Sequence, residues 1–315
     1  LDLSKFEADI RARGEDFRVG NRTALDGLLT QVLAVLMKEG LLELKRVAQD
    51  GMRVRASAGA ASFRREKSLD RCMEEAKAQV EALARETDSD QTAVREAARR
   101  RAAADRLLRI ERAIEEMPKA RESKKPEDRS EARVSTTDPE ARVMKMPDGG
   151  FRPAYNFQFC TDTDSRVVTG VSVDNRGSDM GHVDPMLDQI ESRTGLVPGE
   201  HLVDGGYVRH EDMQKAADRN VTVYAPIPTP RNRTADPHQP RPLDLPAIAE
   251  WRVRMAAPDA KEIYKERAST AETVNANLRC LKGLDRLLIR TIPKVLCVAL
   301  WAVLAYDIGQ MITLT

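Results

Sequence analysis

Fifty acidic side chains are spread along this chain of 315 residues, and three of them stand where carboxylate chemistry could be done. Asp204 ends the apolar run His201-Leu202-Val203 and is followed by Gly205-Gly206. A carboxylate at the C-terminal end of a sheet strand lies where α/β folds place ligands, and the glycines let a phosphate or a backbone come close. An Asp before glycine is equally an ordinary turn former. Asp50 sits in VAQDGMRVRAS, whose flanks read as strand. A charged side chain in a strand needs exposure or a partner, and an Asp-Gly turn is the competing reading. Asp138, Asp162 and Asp164 are rivals for the first acid, two of them in a hairpin turn and Asp138 before a proline. Glu272 lies in IYKERASTAETVNANLRCLK. In an unbroken helix Lys265 and Arg279, seven residues to either side, share its face. Ser269 and Asn275 flank that face, while Ile263, Val274, Leu278 and Leu281 turn toward the core. A salt-bridged solvent face has the same signature. Three such acids meeting at one point suit two-metal phosphoryl transfer, in which ions about 3.5–4 Å apart clamp the attacking and leaving oxygens. Mg²⁺ suits such a site because it takes carboxylates and keeps positions for water and phosphate.

Downstream, Arg279, Lys282, Arg286 and Arg290 step by three, four and four, a basic stripe if one helix carries them. Such a stripe can follow a phosphate backbone or simply face solvent.

The remaining chemistry-bearing residues exclude more than they offer. Cys72, Cys160, Cys280 and Cys297 show neither CxxC nor Cys/His zinc spacing, which reads as reduced thiols in a cytoplasmic protein. The four histidines form no HxxxH pair, so a zinc hydrolase has no support. Lys and Arg number 51 against 50 acids, so net charge neither demands nor forbids nucleic acid. No signal peptide opens the chain, and the most apolar stretch, Val295 to Tyr306, is shorter than the roughly 20 residues of a membrane span. It reads as a buried core helix, with no membrane partner.

The elements that must position the acids can be read from periodicity. Residues 23–39 predict an amphipathic helix with Leu25, Leu28, Leu29, Val32, Leu33 and Leu36 on one stripe, stopped by Gly40. Residues 41–58 predict a strand. In 62–117, Leu69, Met73, Ala76, Val80 and Leu83 form a heptad seam, and Leu107, Ile110, Ile114 and Met117 a second stripe. Together they predict an antiparallel helical hairpin turning at TDSD, 87–90, and followed by a charged linker over 118–135. FRPAYNFQFCTD and RVVTGVSVDN predict a β-hairpin, 183–195 a helix, HLVDGGY a buried strand, RHEDMQKAADRN a helix and VTVYAPI a strand. The proline-rich 226–258 predicts an extended loop, 259–290 one long helix, and 293–311 a last apolar one. The order predicts an α/β fold, a ribonuclease-H-like mixed sheet flanked by helices with the helical hairpin inserted.

In sequence order these segments resemble the DDE transposases of bacterial insertion sequences, in the group with a helical insertion after the first aspartate. QDGMRVRASAG is similar to its first-acid segment, and STTDPEARVMKMPDGGFRPAYNFQFCTDTDSRVV to the stretch entering its central hairpin. HLVDGGY is similar to its second-acid strand, and IYKERASTAETVNANLR to its third-acid helix. The resemblance runs from about residue 20 to the C-terminus. It implies a helical remnant of a DNA-binding domain over 1–46 and a catalytic domain over 47–315, interrupted by the insertion at 59–135. It implies Asp50, Asp204 and Glu272 as catalytic, metal-binding acids for two Mg²⁺ or Mn²⁺ ions. Tyr264, Arg267 and Arg279, with Lys265, Lys282 and Arg286, would hold DNA. The partners implied are the element ends, target DNA and further copies of the chain on DNA. Arg279 stands where relatives often carry Lys, which keeps the charge but changes the donor geometry. Only 49 residues precede the first acid, which implies a fragment or a relic unable to transpose alone. Two other readings share the residues: a structure-specific nuclease of the same fold, and a non-catalytic DNA-binding or assembly protein.

Overall fold

The computed structural model describes residues 21–85, 93–228 and 236–315. They form a mixed α/β fold. Among the described residues the strands are β1 (Arg46–Arg55), β2 (Phe63–Arg64), β3 (Val134–Ser135), β4 (Arg142–Lys145), β5 (Phe151–Asp162), β6 (Val168–Asp174), β7 (Glu200–Leu202) and β8 (Thr222–Tyr224). The α-helices are α1 (Arg22–Lys38), α2 (Glu66–Arg85), α3 (Ala93–Glu122), α4 (Val183–Thr194), α5 (His210–Asp218), α6 (Pro246–Ala256), α7 (Pro258–Arg267), α8 (Thr273–Cys280) and α9 (Ile292–Leu314). The chain makes two compact units. One holds residues up to Val54, Asn156–Asp285 and Pro293–Thr315, the other Arg55–Tyr155 and Arg286–Ile292.

In the first unit β1 lies between β5 and β7. It pairs in parallel with β7, Val47 opposite His201, and β7 pairs in parallel with β8. β5 pairs antiparallel with β6, Phe159 opposite Val171. The sheet is therefore mixed, with the long β1 flanked on its parallel side by two strands of only three residues each, β7 and β8. Helices α4, α5 and α6 cover it with Leu187, Met213 and Trp251, among others. Burying these apolar faces is the main term holding the layers together, at roughly 25 cal/mol per Å² removed from water. α1 buries Leu25, Leu29, Leu33 and Leu36, whereas Leu28 is exposed, so its stripe is narrower than the sequence suggests. Gly40 at φ +69° and Gly195 at φ +72° take the left-handed turn after α1 and α4.

Three expectations need correction here. The proline-rich 226–258 is not one extended loop: Pro246 opens α6, which buries Ile248, Trp251 and Met255 and anchors Trp251 Nε1 on the Ala225 carbonyl at 2.9 Å. Proline is pre-organised for a first helical turn, so its abundance misleads. The helix expected over 259–290 is broken: a π-turn, Ala268–Glu272, separates α7 from α8, and α8 ends at Cys280. Gly283 at φ +77° carries the chain away. Arg279, Lys282, Arg286 and Arg290 therefore do not form one helical stripe, and Leu281 is exposed rather than in the core. Finally, α9 has 23 residues, long and apolar enough by length and composition to cross a membrane, but half of its apolar window is buried within the fold. Its Asp307 is fully buried and accepts from the Val168 amide at 2.9 Å, which fixes the helix as a core element.

In the second unit α2 and α3 run antiparallel, with Glu66 paired to Arg121 and Gln79 to Arg106. Leu69, Ala113, Met117 and Ala120 form their core with Ala132 and Val134. The TDSD turn lies outside the described residues. α3 runs through Pro118 to Glu122, past the point where a linker was expected. β4, which the sequence did not reveal, pairs antiparallel with the first half of β5 across a turn in which Gly149 has φ +81°. Arg286 forms a parallel bridge with Arg55, so it sits in extended chain rather than on a helix.

Candidate functional site

The first unit brings Asp50, Asp204 and Glu272 around one guanidinium. Asp50 lies mid-strand on β1, its side chain 18% exposed. Arg267, the last residue of α7, donates from Nη2 to Asp50 Oδ1 at 2.8 Å. The same Nη2 stands 3.8 Å from Asp204 Oδ2, and Nη1 stands 3.9 Å from Glu272 Oε1. The second Asp50 oxygen accepts from Asn275 Nδ2 on α8 at 2.9 Å. Asp204 caps the short turn Gly205–Tyr207, Oδ1 accepting the Gly206 amide at 2.7 Å, so one oxygen makes the turn and the other faces Arg267. The turn-forming reading of Asp204 is thus observed, and its second oxygen is left facing the acid cluster.

The local electrostatics are those of crowded acids. Burial pushes the Asp50 carboxyl up, and the nearby charges of Asp204 and Asp179 push it further, against Arg267 and the Gly51 amide. Burial works to lower the Arg267 pKa, yet the neighbouring Asp50, Tyr264 and Asp204 hold it above its usual value. Tyr264 is half-buried, and its hydroxyl pKa is raised, chiefly by burial. Arg267 Nε is buried without a partner, so the guanidinium is gripped only through its outer nitrogens.

The other expected residues sit differently. Lys265 is exposed and pairs with Glu262 at 2.7 Å, off the acid cluster. Arg279 donates to the Arg53 carbonyl at 3.2 Å, behind the site rather than to Glu272. Lys282 is exposed beyond the end of α8, and Arg286 lies in the second unit. The seven-residue face of Lys265, Glu272 and Arg279 is thus broken. A π-turn adds a residue to the helical turn and shifts everything after it. Of the rival first acids, Asp162 accepts from Ser165 N and Oγ as a turn former. Asp138 is buried in the second unit, accepting from Tyr155 Oη at 2.8 Å.

Asn275 and Asp179 are the residues that sequence reasoning passed over, the first noted only as a flank. Asn275 follows Glu272 by three positions, a helical neighbour spacing that could have pointed to it. Asp179 lies in a Gly- and Ser-containing segment with no periodic signal.

Among the described residues no three Asp, Glu, His or Cys side chains stand ready to hold a metal ion. What the three acids share is the Arg267 guanidinium. Their donors are all carboxylate oxygens, the set that a hard divalent cation takes, and the point they face is already one that demands positive charge.

A mixed sheet that, with the π-turn beside it, gathers three acids around one guanidinium defines an α/β protein with an acidic site. The transposase DDE domain family matches residues 125–308, more than half of the 315 residues. The chain belongs to that family, and its function is that of a transposase domain. The matched range includes Asp204, Arg267 and Glu272, while Asp50 precedes it. No curated protein and no solved structure matches the chain.

Proposed function

We propose that the chain cuts and joins DNA strands by metal-dependent phosphoryl transfer on a ribonuclease-H-like fold, with Asp50, Asp204 and Glu272 as the metal-binding acids. The observation that carries this reading is that one guanidinium, Arg267, lies within 3.9 Å of carboxylate oxygens from all three. They come from a strand, a strand end and a π-turn far apart in the chain. Mg²⁺ or Mn²⁺ bound by these acids supplies Lewis acidity to a phosphoryl oxygen and to the attacking and leaving oxygens.

The chain's own residues do the positioning. Asn275 fixes the rotation of the Asp50 carboxylate, and the Gly206 amide fixes that of Asp204. Arg267 neutralises the acids and, with Tyr264, offers hydrogen-bond donors to a phosphate. Lys265 and Lys282 are exposed and suit non-specific contact with a DNA backbone.

The test pairs a nicking and strand-transfer assay on the element's own ends with a salt-titrated binding assay. Asp204→Asn keeps the size of the side chain and its acceptor for the Gly206 amide, so DNA binding persists while nicking is lost. Full cleavage by that variant removes Asp204 from the mechanism. Nicks without joined products assign the site to a nuclease instead.

A further inference from the structure

Asp179 lies between β6 and α4 and is only 8% exposed. Its carboxylate is held by three donors. Oδ1 accepts from Asn156 Nδ2 and Gln158 Nε2, both at 2.8 Å, and Oδ2 accepts from Arg53 Nη2 at 2.7 Å. Asn156 and Gln158 are fully buried polar residues that alternate with the apolar Tyr155, Phe157 and Phe159 along β5. Buried amides and a buried acid are retained only where each finds a partner, and here they find one another.

This cluster presses on β1 around Asp50. A Cβ at Gly51 would stand 2.5 Å from Asp179 Oδ1 and 2.8 Å from Gln158 Nε2, so the carboxylate rests on bare backbone next to the first acid. Gln49 Nε2 donates to Gln158 Oε1 at 3.2 Å, and Arg53 reaches Asp179 directly. Residues 49, 51 and 53 alternate with Asp50 and so share the strand face opposite to it. The same Gln158 oxygen accepts from Tyr207 Oη, and Tyr207 closes the turn that Asp204 caps. One buried cluster therefore grips the strand of Asp50 from behind and the turn of Asp204 from within.

We infer that Asp179 is a positioning residue: through Arg53, Gln158 and the backbone of Gly51 it fixes the Asp50 and Asp204 carboxylates for cation binding. This rests on the reading of Asp50 and Asp204 as metal-binding acids. Asp179 itself does not ligate, because both oxygens are spent on protein donors.

The experiment is calorimetric titration of the full chain with Mn²⁺ alone, alongside thermal melting, for the native protein and Asp179→Asn, Arg53→Gln and Asp204→Asn. Outer partners of metal ligands typically change metal affinity by about 10–100-fold. Asp179→Asn is expected to weaken Mn²⁺ binding about tenfold on that scale at a temperature where it remains folded. Arg53→Gln, a milder cut in the same cluster, shifts it in the same direction and decides the matter if Asp179→Asn does not fold. A lower melting temperature with unchanged Mn²⁺ affinity in the folded variants makes Asp179 merely structural and overturns the inference. If Asp204→Asn weakens binding and neither cluster variant does, only the role of Asp179 fails. If the native protein binds no Mn²⁺, or Asp204→Asn binds it as well as the native chain, the acid-site reading falls and takes this inference with it.

Discussion

Arg267 and Glu272 meet, Nη1 to Oε1 at 3.9 Å, although an α-helix would turn them apart. Five α-helical residues turn about 140° past a full circle. The π-turn Ala268–Glu272 between them winds more slowly and returns Glu272 to the side of Arg267. The third acid thus owes its place to a local irregularity, not to helical periodicity.

Inserting an alanine after Ser269 should therefore exceed what the π-turn absorbs, make Glu272 the sixth residue after Arg267, and rotate it by roughly 100° away from Asp50 and Asp204. Far-ultraviolet circular dichroism should keep its helical shape, while Mn²⁺ affinity falls by at least about tenfold, the lower end for disturbed metal-site support. Unchanged affinity would show that the π-turn does not set the acid.

Arg267→Ala leaves three carboxylates facing one another with no fixed cation. Calorimetry without DNA should then show tighter Mn²⁺ binding, by roughly 5- to 30-fold if the guanidinium competes with 1–2 kcal/mol. Binding of DNA should weaken, and its salt dependence should fall. Weaker Mn²⁺ binding in this variant would mean that Arg267 supports the cation rather than standing in its place.

Asp138 offers a pH test in the second unit. Burial is the main cause that pushes its carboxyl from 3.8 up to about 6, against the hydrogen bond from Tyr155. Because the folded pKa lies above the unfolded one, the folded state holds the extra proton between pH 3.8 and about 6. The stabilisation from this group is complete below 3.8 and is lost as pH rises to about 6. The loss is on the order of 3 kcal/mol by linkage. Asp138→Asn keeps an acceptor for Tyr155 and has nothing to ionise. Denaturant melts from pH 4 to 7 should show the native chain losing stability relative to this variant; parallel curves would refute it.

Much of the site was legible because its acids are punctuated. Asp204 stands at the junction of an apolar strand and two glycines, and Asp50 interrupts a strand with a charge. Glu272 could be named, but its neighbours could not, since a π-turn leaves no mark on a seven-residue count. Helix α6 was hidden by prolines that read as loop formers while Pro246 was opening a helix. β4 was too short, and too close to a Pro-Asp-Gly turn, to show alternation. Asp179 was invisible for a different reason: a buried acid is identified by the Asn156, Gln158 and Arg53 side chains that meet it, and they are distant in sequence.

The parallel pairing of β1 with β7 also fixes when this site can exist. Arg46 and Glu200, which face each other in that pairing and join at 2.5 Å, are 154 residues apart. At the usual pace of ribosomes, about 5–20 residues per second, β1 waits roughly 8 to 30 s for its parallel neighbour. Arg267 and Glu272 emerge later still. The nascent chain therefore carries an open strand edge, exposed to chaperones and to other chains, until that neighbour emerges. No truncated translation product ending before the π-turn can contain the complete set of acids.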